Sequence, residues 1–285
     1  MIMSFFDKFM VFVTAREDAP TMYDGFHIAT LIATVAVTAL LCYYLWNRSD
    51  KHFRTVMLCI WVILLVGEVY RELTFSFDCT DGVVTWEYAW YQFPFQICSA
   101  PLYTLPLIVA LPDGRVRNAI MAYMALFSFF GGLAVMLYPS DIFCSYIGIN
   151  YQSTIHHGLQ VTIGLLCARK LCDRYNLKTL LSALTVFVAV IAIGMSLNLI
   201  MPEIVPAIKN GDTFNMLFIS PYHGCHLPVI GLVRDAAPYG VFLVCYILGF
   251  AIIGTVIFSA QLGVIKLARQ LKARGAEGKQ ARVEC

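Results

Sequence analysis

Charge is scarce in this chain. Asp, Glu, Lys and Arg make up 13% of its 285 residues, where an ordinary soluble domain carries about 25%. The formal net charge is only +2. That excludes a nucleic-acid binder, which needs a basic surface to neutralise phosphates. The apolar excess excludes a disordered chain and most soluble enzymes. Metal-ligand spacing is missing as well. None of the ten cysteines forms the short repeated pairs of a zinc or iron–sulfur site. His223, Cys225 and His226 pack three donors into four residues, too tightly to share one tetrahedral ion. A hydrogen-bonded loop is expected there, and no metal or cofactor anywhere. The first fourteen residues lack the basic start and small-residue cleavage site of a signal peptide, and no internal repeat is found.

What the chain does have is apolar length: 59% of it is hydrophobic and 14% aromatic. A membrane helix needs about 20 apolar residues. Seven runs bounded by charge or turn residues qualify as candidates: 26–46, 53–75, 93–111, 119–138, 151–168, 179–201 and 239–264. The expected fold is therefore all-α, a seven-transmembrane-helix bundle. Residues 1–25 form an interfacial segment ahead of it, residues 26–264 are the membrane domain, and residues 265–285 a basic tail. The third run holds Pro94, Pro101 and Pro106. Each removes a backbone donor, so this run belongs in the centre of the bundle, where protein can satisfy the freed groups. Fifteen of the 20 basic residues fall after the first, third, fifth and seventh runs. The positive-inside bias then puts the N-terminus outside and the C-terminus in the cytoplasm. Of the cysteines, Cys79, Cys144 and Cys225 fall in outer loops, where an oxidising compartment would allow one disulfide.

Polar residues within the runs are the functional candidates, because burying them in hydrocarbon is expensive. Cys98 and His157 lie roughly 8 and 9 Å below the outer boundary at about 1.5 Å per residue. Gln96 and Gln160 flank that level. Glu68, Asn198 and, in the following loop, Asn215 complete an outer polar set, while the inner halves are almost wholly apolar. Glu68, Arg71 and Glu72 share a helical face and can neutralise one another. His156 and His157 both share a face with Gln160, so periodicity leaves open which of them points inward. A thiol beside an imidazole is a strong nucleophile. A Cys–His pair at this depth would meet lipid ester bonds, with Asn198, Asn215 or Gln96 as oxyanion donors.

The run FPFQICSAPLY at Phe93–Tyr103 resembles the "LPxHxC" segment of YwaF-type bacterial integral membrane proteins. Their vertebrate relatives are the transmembrane protein 164 family. YDGFHI at Tyr23–Ile28, GEVYREL at Gly67–Leu73, IHHGLQV at Ile155–Val161 and FNMLFISP at Phe214–Pro221 extend the likeness over nearly the whole chain. The resemblance implies a seven-helix membrane fold, a bacterial plasma-membrane location and cysteine-dependent lipid acyl transfer. Its nucleophile falls on Cys98 and its base on His157, whose following Gly158 fits the family's "HG". Where bacterial relatives often carry His two residues before the cysteine, this chain has Gln96, which cannot titrate.

The expected function is thus a lipid acyltransferase or lipid ester hydrolase with an acyl-cysteine intermediate, its substrates membrane lipids. A small-solute transporter, with Glu68, Arg71 and the histidines along a path, is the first alternative. A seven-helix receptor or scaffold is the second.

Overall fold

The computed structural model describes residues 4–80 and 83–283, with side chains as far as Ala273. Asp81, Cys285 and the tail side chains of Arg274, Lys279 and Arg282 lie outside the described residues. The described residues are mostly helical. Several helices start where the sequence supplies a cap. Ser4 and Asp7 form a reciprocal capping box that opens α1 (Phe5–Val13). Asp24 accepts from the His27 amide at 2.8 Å and opens α2 (Gly25–Tyr44). α1 exposes Phe5, Phe6, Phe9 and Phe12 and buries Met10.

After α2 come α3 (Asp50–Ser76), a β-hairpin (β1 Phe77–Thr80, β2 Val83–Trp86) and α4 (Ala100–Ala110). α5 (Arg115–Tyr123) runs through a π-helical stretch at Met124–Ser128 into α6 (Phe129–Leu137). α7 (Ile147–Lys170), α8 (Leu177–Ile204), the short α9 (Pro206–Lys209) and α10 (Ile230–Ala236), and α11 (Tyr239–Val283) follow.

Among the described residues, five helices are long and apolar enough to cross a membrane: Gly25–Tyr44, Asp50–Ser76, Arg115–Leu137, Leu177–Ile204 and Tyr239–Ala273. The other two expected crossings depart from that standard for different reasons. Prolines confine the third to a short apolar helix, Ile97–Ala110. The fifth, α7, is 24 residues long but too polar, since Asn150, Ser153, Thr154, His156, His157, Gln160 and Thr162 are all buried on it. A helix enclosed by protein can carry polar groups that a lipid-facing helix cannot. α7 packs against α2, α3, α5, α6 and the π stretch. Lipid-facing character lies elsewhere, as with Ile32, Val35 and Leu40 on α2 and Val244, Leu248, Ile252 and Val256 on α11, all exposed. α11 continues as helix through the basic tail to Val283.

Proline chemistry explains one contact between α3 and α4. Pro106 has no N–H for the carbonyl of Leu102 four residues back. Trp61 Nε1 on α3 donates to that carbonyl at 3.0 Å. At the far end of α4, the carbonyls of Ile108 and Val109 accept from Arg117 and Arg54, closing groups that every helix C-terminus leaves open.

Close approach between α6 and α7 depends on Gly132. A Cβ there would lie 2.6 Å from the His157 carbonyl oxygen and 2.7 Å from Gln160 Cβ, and a backbone atom cannot move aside. Gly132→Ala is expected to destabilise the protein by about 1–3 kcal/mol through overpacking. Gly263→Ala, where no atom lies within 4 Å, gains helix propensity and does not destabilise. Thermal melts in detergent check the pair of variants.

Candidate functional site

Cys98 lies in a single 3₁₀ turn, Ile97–Ser99, that leads into α4. Pro101 occupies the first turn of α4, where a missing donor costs nothing. The turn leaves the Cys98 carbonyl without a helical partner, and α7 supplies two. His156 Nε2 donates to it at 2.8 Å and Gln160 Nε2 at 2.5 Å. The two donors are four residues apart and stack on one face of α7. A carbonyl oxygen only accepts, so His156 carries its proton on Nε2 and keeps a lone pair on Nδ1. That Nδ1, and Gln160 Oε1, are buried without a partner.

His157 looks another way. Its Nδ1 donates to the Ser153 carbonyl of its own helix at 2.7 Å, which leaves Nε2 as its lone-pair nitrogen. The rings of His156 and His157 are 5.4 Å apart. The resemblance pointed to His157, whereas His156 is the imidazole that reaches residue 98. Among the described residues no hydrogen bond joins Cys98 Sγ to either ring.

Arg71 and Glu68 lie within electrostatic reach of Cys98. Arg71 pairs with Glu68 at 2.5 Å and Glu72 at 2.9 Å, as their shared helical face requires. It also donates to the side chain and the carbonyl of Gln92. This cluster ties α3 to the segment that runs toward Cys98.

Gln96, Asn198 and Asn215, the expected oxyanion donors, each hydrogen-bond to backbone. They hold a buried, non-helical loop at Phe214–Ser220. Asn198 accepts from the Met216 amide at 2.7 Å and donates to its carbonyl at 3.0 Å. Gln96 does the same for Leu217 N and Asn215 O, at 2.8 and 2.9 Å. Asn215 accepts from Ser220 N and donates to Gly224 O. Tyr246 closes the Leu217 carbonyl at 2.8 Å. Leu217 and Phe218 adopt φ of 58° and 56°, a conformation costly for such side chains and sustained by this set of bonds. Each of these amide nitrogens spends one of its two N–H groups on a backbone carbonyl.

Sequence reasoning overlooked Tyr123 and Ser128, which flank and end the π stretch. Both are fully buried, and neither hydroxyl has a partner. Tyr123 is within electrostatic reach of Cys98. A π-bulge is often found at functional sites, but no residue pattern announces one.

Beside the β-hairpin, a cavity of about 470 Å³ is lined by Asp78, Glu87, Asp212, Tyr88, Trp90 and Phe75 among others, and not by Cys98 or the histidines. Burial, together with the nearby Glu72 carboxylate, raises the Tyr88 phenol well above its ordinary range. Cys79, Cys144 and Cys225 are each free. His223 accepts from the Phe214 amide at 3.4 Å, and among the described residues no group of three or more His, Cys, Asp or Glu could hold a metal.

Asn198→Leu removes both partners of the Met216 peptide. An unsatisfied buried polar group costs about 1–3 kcal/mol, so this variant is expected to lower the melting temperature and to open residues 214–224 to limited proteolysis. Asn210→Leu, on an exposed turn, is expected to do neither.

The family comparison spans nearly all of these elements, with the TMEM164 family model matching residues 22–261. No curated protein and no solved structure matches the chain. With apolar helices long enough to cross a bilayer and a match over most of its length, this integral membrane protein belongs to the TMEM164 family.

Proposed function

We propose that the protein is a lipid acyl-transfer enzyme, a transferase or an ester hydrolase, with Cys98 as nucleophile. The proposal takes α4 and α7 as the third and fifth crossings of a seven-helix bundle, N-terminus outside, in a bacterial plasma membrane. The observation that carries it is the double grip on the Cys98 carbonyl. That grip fixes the nucleophile's backbone at the N-terminal end of a helix, which favours developing negative charge. It also leaves an imidazole lone pair buried without a partner on the side chain that makes the grip.

In this reading His156 Nδ1 accepts the thiol proton as the sulfur attacks a lipid acyl carbonyl. The tetrahedral adduct collapses, the C–O bond breaks, and the leaving alkoxide takes the proton back from His156. A lysolipid hydroxyl or water then gives its proton to His156 and attacks the thioester. The C–S bond breaks, the thiolate is reprotonated, and an ester or a free acid departs. Tyr123 Oη, unpartnered and within electrostatic reach of Cys98, joins Gln96, Asn198 and Asn215 as candidate oxyanion donor. His157, the base that the family resemblance implies, is the second imidazole within this site. The carboxylates and aromatic rings of the cavity beside the β-hairpin suit the ammonium headgroup of a zwitterionic phospholipid.

The transporter reading loses its main support, since Glu68, Arg71 and Glu72 pair with one another.

Cys98→Ala is expected to abolish exchange of labelled acyl chains between phospholipid and lysophospholipid in proteoliposomes, and acyl release to water. His156→Ala is expected to lower turnover by about 10²–10⁴, the worth of a positioned general base. His157→Ala should lower it by less. Equal loss in both histidine variants, with unchanged melting temperatures, assigns the base to the pair. A larger loss in His157→Ala returns it to His157. Full turnover in Cys98→Ala ends the proposal.

A further inference from the structure

At the other end of α3, one carboxylate serves three cations. Asp50 lies 2.7 Å from Arg54, 3.0 Å from Arg117 and 2.9 Å from Lys170. The Arg117 side chain is fully buried. Beside this hub is a second cavity, of about 260 Å³. Arg48, Arg169 and Lys170 supply its charge, and Leu45, Phe53 and Leu166 its apolar wall. Asp173 is the one carboxylate among its lining residues. Hub and cavity together set five cations against two carboxylates, an excess of three positive charges.

Arg169 and Arg48 are held in place without a carboxylate to neutralise them among the described residues. Arg169 donates to the Cys42 and Trp46 carbonyls and lies over the Trp46 ring at 4.5 Å. Carbonyls and a ring face orient a guanidinium but leave its full charge. Arg48 lies over the Tyr44 ring at 5.3 Å, and among the described residues no carboxylate pairs with it. Arg269, from α11, donates to the carbonyl of Cys172 at the cavity wall.

We propose that this cavity binds a phosphate group, as the headgroup of an anionic phospholipid. A phosphate offers several strong acceptors to Arg48, Arg169 and Lys170 and offsets part of the excess charge. The apolar wall and the exposed Trp46 fit a glycerol backbone and the start of an acyl chain, as at other basic pockets between membrane helices. The site lies on the face where the basic loops collect, away from Cys98, and stands whether or not acyl transfer does.

The test uses the full-length protein in a neutral detergent. Dioleoylphosphatidylglycerol or dioleoylphosphatidylcholine is titrated in, with retention read by native mass spectrometry and stabilisation by thermal melt. Inorganic phosphate forms a third arm. The wild type is expected to retain phosphatidylglycerol in preference and to melt higher with it. Each basic residue near a membrane surface is worth about 1 kcal/mol toward an anionic lipid. Arg48→Gln should therefore weaken binding about five-fold, and Arg48→Glu about 25-fold. Arg174→Gln is the control, an exposed cation outside the cavity and already paired with Asp113 at 3.4 Å. It should change binding by less than about two-fold. Stabilisation by inorganic phosphate that also needs Arg48 would support the same anion site and name a soluble phosphate as its source. Equal retention of the two lipids, or an Arg48→Glu effect no larger than that of Arg174→Gln, overturns the proposal.

Discussion

A peptide group with no hydrogen-bond partner is costly in hydrocarbon, by several kcal/mol. That constraint organises this molecule more than any single packing contact. Wherever the backbone leaves the regular helix inside the bundle, a side chain from another element closes the gap. Trp61 answers the carbonyl that Pro106 frees. His156 and Gln160 answer the carbonyl of the turn before α4. Gln96, Asn198, Asn215 and Tyr246 answer the loop at Phe214–Ser220. Polar side chains at depth are the fastenings of irregular backbone, and the irregular backbone is what makes a site other than a plain helix bundle.

The same rule separates fastenings from chemistry. Asn198 and Gln96 use both polar atoms of their amides on one stretch of backbone. His156 and Gln160 each use one atom on Cys98 and keep one acceptor buried and unanswered. Tyr123 and Ser128 keep their hydroxyls in the same condition. An unanswered buried acceptor is either a cost with no return or a place held for a transient partner. Four such groups on α7 and on the helix it packs against, near a cysteine gripped by its own carbonyl, favour the second.

Much of the fold was legible because period and hydropathy act locally. Capped starts such as Asp24 before α2 and the run of apolar residues along α8 need nothing beyond their neighbours in sequence. The level of Cys98 and of the histidines also followed from counting residues along helices that run in from one side. What counting could not decide was direction. His156 and His157 differ by about 100° around the helix axis, and both shared a face with Gln160. Only the position of the turn before α4 selects His156 for residue 98. The backbone task of Asn198 and Asn215 was hidden for a related reason. The left-handed residues Leu217 and Phe218 carry no glycine to mark them, so no residue pattern announces a buried loop that takes up those amides. The π stretch at Met124–Ser128 is likewise set by packing on α7.

Charge along α3 obeys the constraint in its electrostatic form. The helix begins at Asp50, where a carboxylate complements the positive end of the macrodipole, and that carboxylate gathers three cations. Near its other end Glu68 and Glu72 stand against the negative end of the dipole, and only Arg71 between them makes that tolerable. One end of α3 therefore carries one cation for two carboxylates, and the other three cations for one carboxylate. The cation-rich end is the one that the positive-inside bias assigns to the cytoplasm. A single helix thus presents negative excess at its Arg71 end and positive excess at its Asp50 end. The apolar middle of the bundle, Met57, Ile60 and Leu64 among its buried residues, separates the two.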